Sequence, residues 1–222
     1  VLFPSKVMNA VFLSLIASNI YTAGNTALLN LSGFSDASLG QYGTANSLIT
    51  AGRGLFSPIS DSLYPYMVVK KNFKLLKKTL LILMPIITVG VIVLYFISDW
   101  FVMLFAGAKY ADAVPIFQAM LPLLFITLPV YIMGYPTLGA MNMMKEANLS
   151  VIYASGFHII GMAVLVLTGS LGFISISLLT FLTECVVLTL RIIYCIKGTK
   201  RLKAEMEEKL KNESIALEEN NQ

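Results

Sequence analysis

Long apolar runs, each about the length a helix needs to cross a bilayer, constrain this chain more than any other feature of its sequence. They extend from about Met8 to Leu31, Gln41 to Met67, Thr79 to Phe101, Val114 to Met141, Asn148 to Thr168 and Phe173 to Ile196. A 57% hydrophobic share, a 13% charged share and a mean hydropathy of +0.77 are too apolar for an ordinary soluble domain. The expected fold class is therefore all-α, a polytopic membrane protein. Six transmembrane helices occupy residues 1–196, and a charged tail follows over 197–222.

Lysine and arginine placement orients the spans, because positive charge beside a span end is retained on the cytoplasmic side. Lys6 precedes the first span, and Lys70, Lys71, Lys74, Lys77 and Lys78 follow the second. Lys145 follows the fourth, and Arg191, Lys197, Lys200, Arg201 and Lys203 close the sixth. The opposite loops hold Asp36, Asp99 and Asp112 with only Lys109. Six spans with both termini cytoplasmic satisfy every loop. The net charge of +4 then reports orientation, and no basic fold or groove-reading element supports a nucleic-acid partner.

Cys185 and Cys195 both fall in the sixth span, so a disulfide framework is not expected. The chain opens at Val1 and enters the first span without a cleavable signal pattern, which suggests a fragment or a split reading frame. The sequons at Asn30, Asn148 and Asn212 are patterns of high chance frequency and carry no weight.

The second run is the least apolar, and it carries Arg53 near its midpoint. At about 100° per residue, Asn46, Thr50, Arg53, Ser57, Ser60, Asp61 and Tyr64 share one face. A central arginine costs about 2.5 to 3.5 kcal/mol on insertion scales, whereas each Leu or Ile returns only about 0.3 to 0.6. The stripe must therefore face a cavity, a partner or a pore, and it is read as a transport pathway. Span one repeats the pattern more weakly through Ser14, Ser18, Tyr21, Thr22 and Asn25, a face that suits either the same pathway or helix packing.

Pro115, Pro122, Pro129 and Pro136 recur every seven residues in span four, and Pro58 and Pro65 repeat that spacing in span two. Each interior proline removes a backbone hydrogen bond, so kinks or breaks are expected, either fixed in the bundle or bending during transport. The tail from Lys197 is rich in Lys and Glu and reads as a solvated or interfacial helix.

Enzyme signatures are missing: the sequence has no P-loop, HExxH or GxSxG, and His158 is its only histidine. No catalytic residue, metal site or cofactor is expected. Arg53, His158 and Glu184 are the ionisable groups placed within the bilayer, and such groups are functional candidates. Arg53 is read either as an anion-binding group or as a partner of Glu184, readings that are compatible if an incoming anion displaces the carboxylate. Glu184 is also a candidate for proton or ion coupling, and His158 for a relay or a packing residue. Tyr42 and Tyr66 suit interface anchors, while Tyr21 and Tyr64 suit contact with sugar.

Three stretches carry a resemblance: YTAGNTALLNLSG from Tyr21, LGQYGTANSLITAGRGLFSPISDSLYPYM ending at Met67, and LFAGAKYADAVPIFQAMLPLLFI ending at Ile126. The chain up to Ile196 resembles the second half of Wzx-type polysaccharide flippases, in the superfamily that includes multidrug and toxin extruders. The most specific part is SPISDSLYPYM, from Ser57 to Met67. The resemblance implies one six-helix lobe of a twelve-span exporter in a bacterial inner membrane. It implies movement of polyprenyl-diphosphate-linked oligosaccharide between leaflets, for O-antigen or capsule synthesis. The implied partners are membrane lipid, the lipid-linked oligosaccharide, and an N-terminal lobe or a second copy. A lobe of a small-molecule or drug antiporter, with Glu184 binding the coupling ion, and a non-transporting membrane partner subunit are the competing readings.

Overall fold

The structure, a computed structural model, describes residues 5–219, and their side chains over 11–212 apart from Ser18, Ile20, Tyr21 and Thr22. About 90% of it is helix, and no strand occurs among the described residues. The helices are α1 (Ser5–Leu31), α2 (Asp36–Gly54), α3 (Ser57–Lys70), α4 (Phe73–Phe96), α5 (Ser98–Ala106), α6 (Val114–Met120), α7 (Pro122–Ile132), α8 (Met144–Leu167) and α9 (Phe173–Glu219). A 3-10 segment, Ala108–Ala113, joins α5 to α6, and a π-helical turn, Met133–Gly139, ends α7.

Four of the described stretches are long and apolar enough to cross a membrane: Phe73–Phe96, Pro122–Gly139, Met144–Leu167 and Phe173–Asn212. They differ in what covers them. The most apolar window of α4 has no buried residue, whereas two thirds of the window in Pro122–Gly139 is buried. The proline-rich segment is thus the centre of the bundle. It packs against α2, α3, α4 and α9, while α8 lies between α1 and α9. Exposed Leu81, Ile82, Ile86, Val89 and Ile92 on α4 form a face suited to hydrocarbon.

The sequence predicts one helix over 41–67, and the structure divides it. Leu55 N–H donates to Gly52 O and Phe56 N–H to Arg53 O, a tightened turn that ends α2. Pro58 lies in the first turn of α3, where its missing N–H costs least. The carbonyl that Pro58 leaves without its usual donor is that of Gly54, and Ser57 Oγ donates to it at 3.3 Å. Leucine and phenylalanine hide nothing of this in a periodicity plot; the local Gly-x-x-Ser-Pro chemistry makes the break.

Span four is interrupted as its prolines lead one to expect, at Leu121 between α6 and α7 and again over the π turn. Gly134, with ψ −119°, departs from helical geometry. At the end of α7, four successive carbonyls accept from side chains. Val130 O accepts from Arg191 Nη1 at 2.5 Å, and Tyr131 O from Ser60 Oγ at 3.5 Å. Ile132 O, the carbonyl freed by Pro136, accepts from Thr137 Oγ1 at 2.7 Å, and Met133 O from Cys195 Sγ at 3.9 Å. In a bilayer such carbonyls find no water, so side-chain donors are what make the break tolerable.

The helix of the last span continues into the tail. α9 runs 47 residues, about 70 Å at 1.5 Å per residue, so it extends well past a hydrocarbon core of about 30 Å. Span three likewise ends at Phe96, and α5 is a separate helix after it.

Candidate functional site

Two interrupted helices face each other across a polar cavity of about 350 Å³. The break between α2 and α3 contributes Arg53, Ser57, Ser60 and Asp61, and the end of α7 with its π turn contributes Tyr131 and Tyr135. Ser14 of α1, Asn148 of α8, and Glu184 and Arg191 of α9 complete its polar lining. The cavity lies at the small end of ligand pockets, large enough for a polar headgroup rather than a long chain.

Arg53 Nη2 donates to Glu184 Oε1 at 2.5 Å, an ion pair joining α2 to α9. The glutamate side chain is 3% exposed and the arginine 19%, so the carboxylate is the sequestered member and the guanidinium reaches the cavity. The planar guanidinium carries its N–H donors along its edges, in a fork that matches carboxylate and phosphate oxygens. Its partial exposure beside the cavity places it within reach of an anion there.

Arg191 stands seven residues after Glu184, two turns along the same face of α9. The sequence places it at a span end as a topological charge; the structure buries it. Its Nε donates to Ser150 Oγ at 3.1 Å, while its Nη1 and Nη2 donate to the carbonyls of Val130 and Ala147. Gly134 makes this possible, since a Cβ there would meet Arg191 Nη1 at 2.7 Å. Five apolar or weakly polar residues, Ile192 to Ile196, follow it before the first lysine, and that is the signal by which its depth can be recognised.

Tyr135 and Asn148 are further lining residues that sequence periodicity does not single out. Tyr135 Oη and Ser14 Oγ each donate to Asn148 Oδ1 at 2.8 Å, and Asn148 Nδ2 donates to Met144 O at 2.7 Å. This network ties α1, α8 and the π turn together on one wall. The burial of Asn148, 2% exposed, also removes its sequon from consideration.

The other residues picked out by the sequence fall elsewhere. Asn46 and Thr50 remain on the exposed face of α2, two turns and one turn from Arg53, outside the cavity lining. The opposite face of α2, with Tyr42, Ala45 and Ile49, is buried. Tyr64 turns away to Tyr135, with ring centroids 6.1 Å apart, and its hydroxyl lies 3.7 Å from Met144 Sδ. Of the seven stripe residues, Arg53, Ser57, Ser60 and Asp61 line the cavity from both sides of the helix break. The side chain of Tyr21 lies outside the described residues.

Asn25 and His158 form a separate buried cluster. His158 Nε2 lies 2.8 Å from Asn25 Oδ1 and its Nδ1 2.7 Å from Thr183 Oγ1, while Asn25 Nδ2 donates to Thr180 Oγ1 at 3.0 Å. Both residues are sealed, at 2% and 0% exposed. The cluster joins α1, α8 and α9, and that geometry is the packing alternative for the histidine. It is not part of the Arg53 cavity lining.

Among the described residues no group of three or more His, Cys, Asp or Glu side chains is arranged to hold a metal ion. Compared with known proteins, the chain matches no family model, no curated protein and no solved structure.

Proposed function

We propose that this chain is one six-helix lobe of a bacterial inner-membrane flippase for polyprenyl-diphosphate-linked oligosaccharides. The observation that carries this reading is the Arg53–Glu184 pair in a polar cavity between two interrupted helices. A charged pair among apolar helices is costly unless it is paired and used, and a guanidinium reaching a cavity suits a diphosphate or an acidic sugar. In this reading the crossings are α1, the α2–α3 pair, α4, α6–α7 with the π turn, α8 and α9. The resemblance of SPISDSLYPYM supports the same assignment.

The exposed Asn46 and Thr50 support a second lobe or a second copy, because hydrocarbon against an amide and a hydroxyl leaves their hydrogen bonds unmade. That neighbour would enlarge the cavity and expose it to each leaflet in turn, with the breaks at 54–57 and 133–139 as the bending points. The polar head crosses through the cavity while the prenyl chain stays in lipid. Lysine and arginine placement supports cytoplasmic termini.

An antiporter lobe is the second reading, and the depth of Glu184 favours it. Coupling-ion binding would require Arg53 to release that carboxylate. The two readings separate in cells producing the protein at native length. In the flippase, Arg53→Ala lowers surface polysaccharide and Arg53→Lys restores part of it at equal membrane abundance. In the antiporter, Glu184→Gln sensitises cells to exported drugs with polysaccharide unchanged. Wild-type polysaccharide from the Ala variant contradicts the flippase assignment, and silence of every cavity substitution favours a partner subunit without transport.

A further inference from the structure

A cleft of about 720 Å³, larger than the polar cavity, lies at the lysine-rich end of the bundle. Its walls are the start of α4, the π turn and the stretch of α9 beyond Cys195. Lys71, Lys77, Lys203 and Lys209 line it, and all four are exposed. Its floor is apolar and buried: Leu76, Ile132 and Met141 are 4%, 1% and 3% exposed. Glu205, the acid in the lining, is engaged by Arg201 at 3.4 Å, and none of the four lysines is in an ion pair among the described residues.

We propose that this cleft binds an anionic phospholipid, with the phosphate among the lysine ammonium groups and the upper acyl chain against the apolar floor. A charged rim above an apolar floor matches an amphiphile and not a free anion, which would leave the floor wet. The level in the membrane points to a phospholipid. α4 begins at Phe73, right beside the rim, and α9 leaves its apolar stretch at Ile196, so Lys71 and Lys77 stand where headgroups are concentrated, with Lys203 and Lys209 farther out along α9. Lys71, held in the left-handed region at φ 49°, and Asn72, which accepts from Leu75 N–H at 3.3 Å, fix the turn that brings the first lysine to the rim. The far wall is pinned by Arg201, whose Nη2 donates to Met141 O. The site is separate from the Arg53 cavity and does not depend on the transport reading.

Native mass spectrometry of the purified full chain in neutral detergent tests this, with phosphatidylglycerol, phosphatidylcholine and glycerol 3-phosphate as probes. Phosphatidylglycerol is expected to bind in preference to the other two and to weaken as salt rises. Each Lys→Gln substitution at 71, 77, 203 or 209 should weaken it about fivefold, while Lys→Arg keeps it. Leu76→Trp, which fills the floor and leaves every charge in place, should weaken it as well. Equal binding of phosphatidylcholine overturns the proposal, as does glycerol 3-phosphate binding as tightly as the lipid, or Lys→Gln variants that retain the wild-type preference. The single lysine changes are exposed and leave the fold intact, so loss of binding with an unchanged helical melt separates lipid recognition from misfolding.

Discussion

Arg53 and Glu184 are unequal partners, and the inequality decides what their loss does. Removing the guanidinium leaves a carboxylate that is 3% exposed with its charge uncompensated, a change that costs about 3 kcal/mol or more in comparable buried pairs. Removing the carboxylate leaves an arginine that can still reach the cavity, so Glu184→Gln should destabilise less than Arg53→Ala. The double variant should be more stable than the sum of the single losses, and a double-mutant cycle on thermal or denaturant melts reads this coupling. Additive losses would show that the two groups act independently. The pair was legible in the sequence as two opposite charges within the apolar runs. Arg191 was less legible, since a cation close to a span end is an ordinary topological signal. The run Ile192 to Ile196 marks its depth, and the approach of Gly134 with the carbonyls of Val130 and Ala147 shows its burial.

The interruptions of α2–α3 and α7 share one device at the level of the element. A proline removes a donor, and a neighbouring hydroxyl, Ser57 or Thr137, serves the carbonyl left behind. Thr137→Val therefore strands the Ile132 carbonyl and should cost about 1 to 3 kcal/mol, with Thr137→Ser close to wild type. Hydrogen exchange at the end of α7 should rise in the Val variant; unchanged exchange and stability would remove the hydroxyl from the account. Gly134→Ala should also destabilise, because its Cβ meets the Arg191 guanidinium at 2.7 Å and displaces a buried charge from its carbonyl partners. A melt equal to wild type would mean that the arginine moves without loss. The seven-residue proline spacing announced that span four would be irregular. It did not locate the π turn, which depends on Arg191 from a helix more than fifty residues later. In span two the projected face holds for Arg53, Ser57, Ser60 and Asp61, which line the cavity together, and not for Asn46, Thr50 and Tyr64, which lie outside its lining.

For the whole molecule, the all-helical architecture and the apolar stretches follow from hydropathy and length alone, and so does the gathering of lysines at one end, where Lys71, Lys77, Lys203 and Lys209 line one cleft. Hydropathy ranks α4 as the most apolar of the long stretches, as suits its peripheral, lipid-facing place, while the less apolar, proline-broken segment is enclosed. Six crossings predict that single cysteines replacing Asp99 and Lys200 are labelled from opposite sides of the membrane by an impermeant maleimide. Labelling from the same side would rule out that path. The central claim is that the Arg53 cavity passes a lipid-linked oligosaccharide, and its most direct test is the leaflet distribution of that lipid in spheroplasts, read by a lectin that cannot enter. With Arg53→Ala at equal membrane abundance, the account predicts lipid-linked oligosaccharide held in the inner leaflet at undiminished synthesis, with partial release by Arg53→Lys; a wild-type share in the outer leaflet of the Ala variant would contradict it.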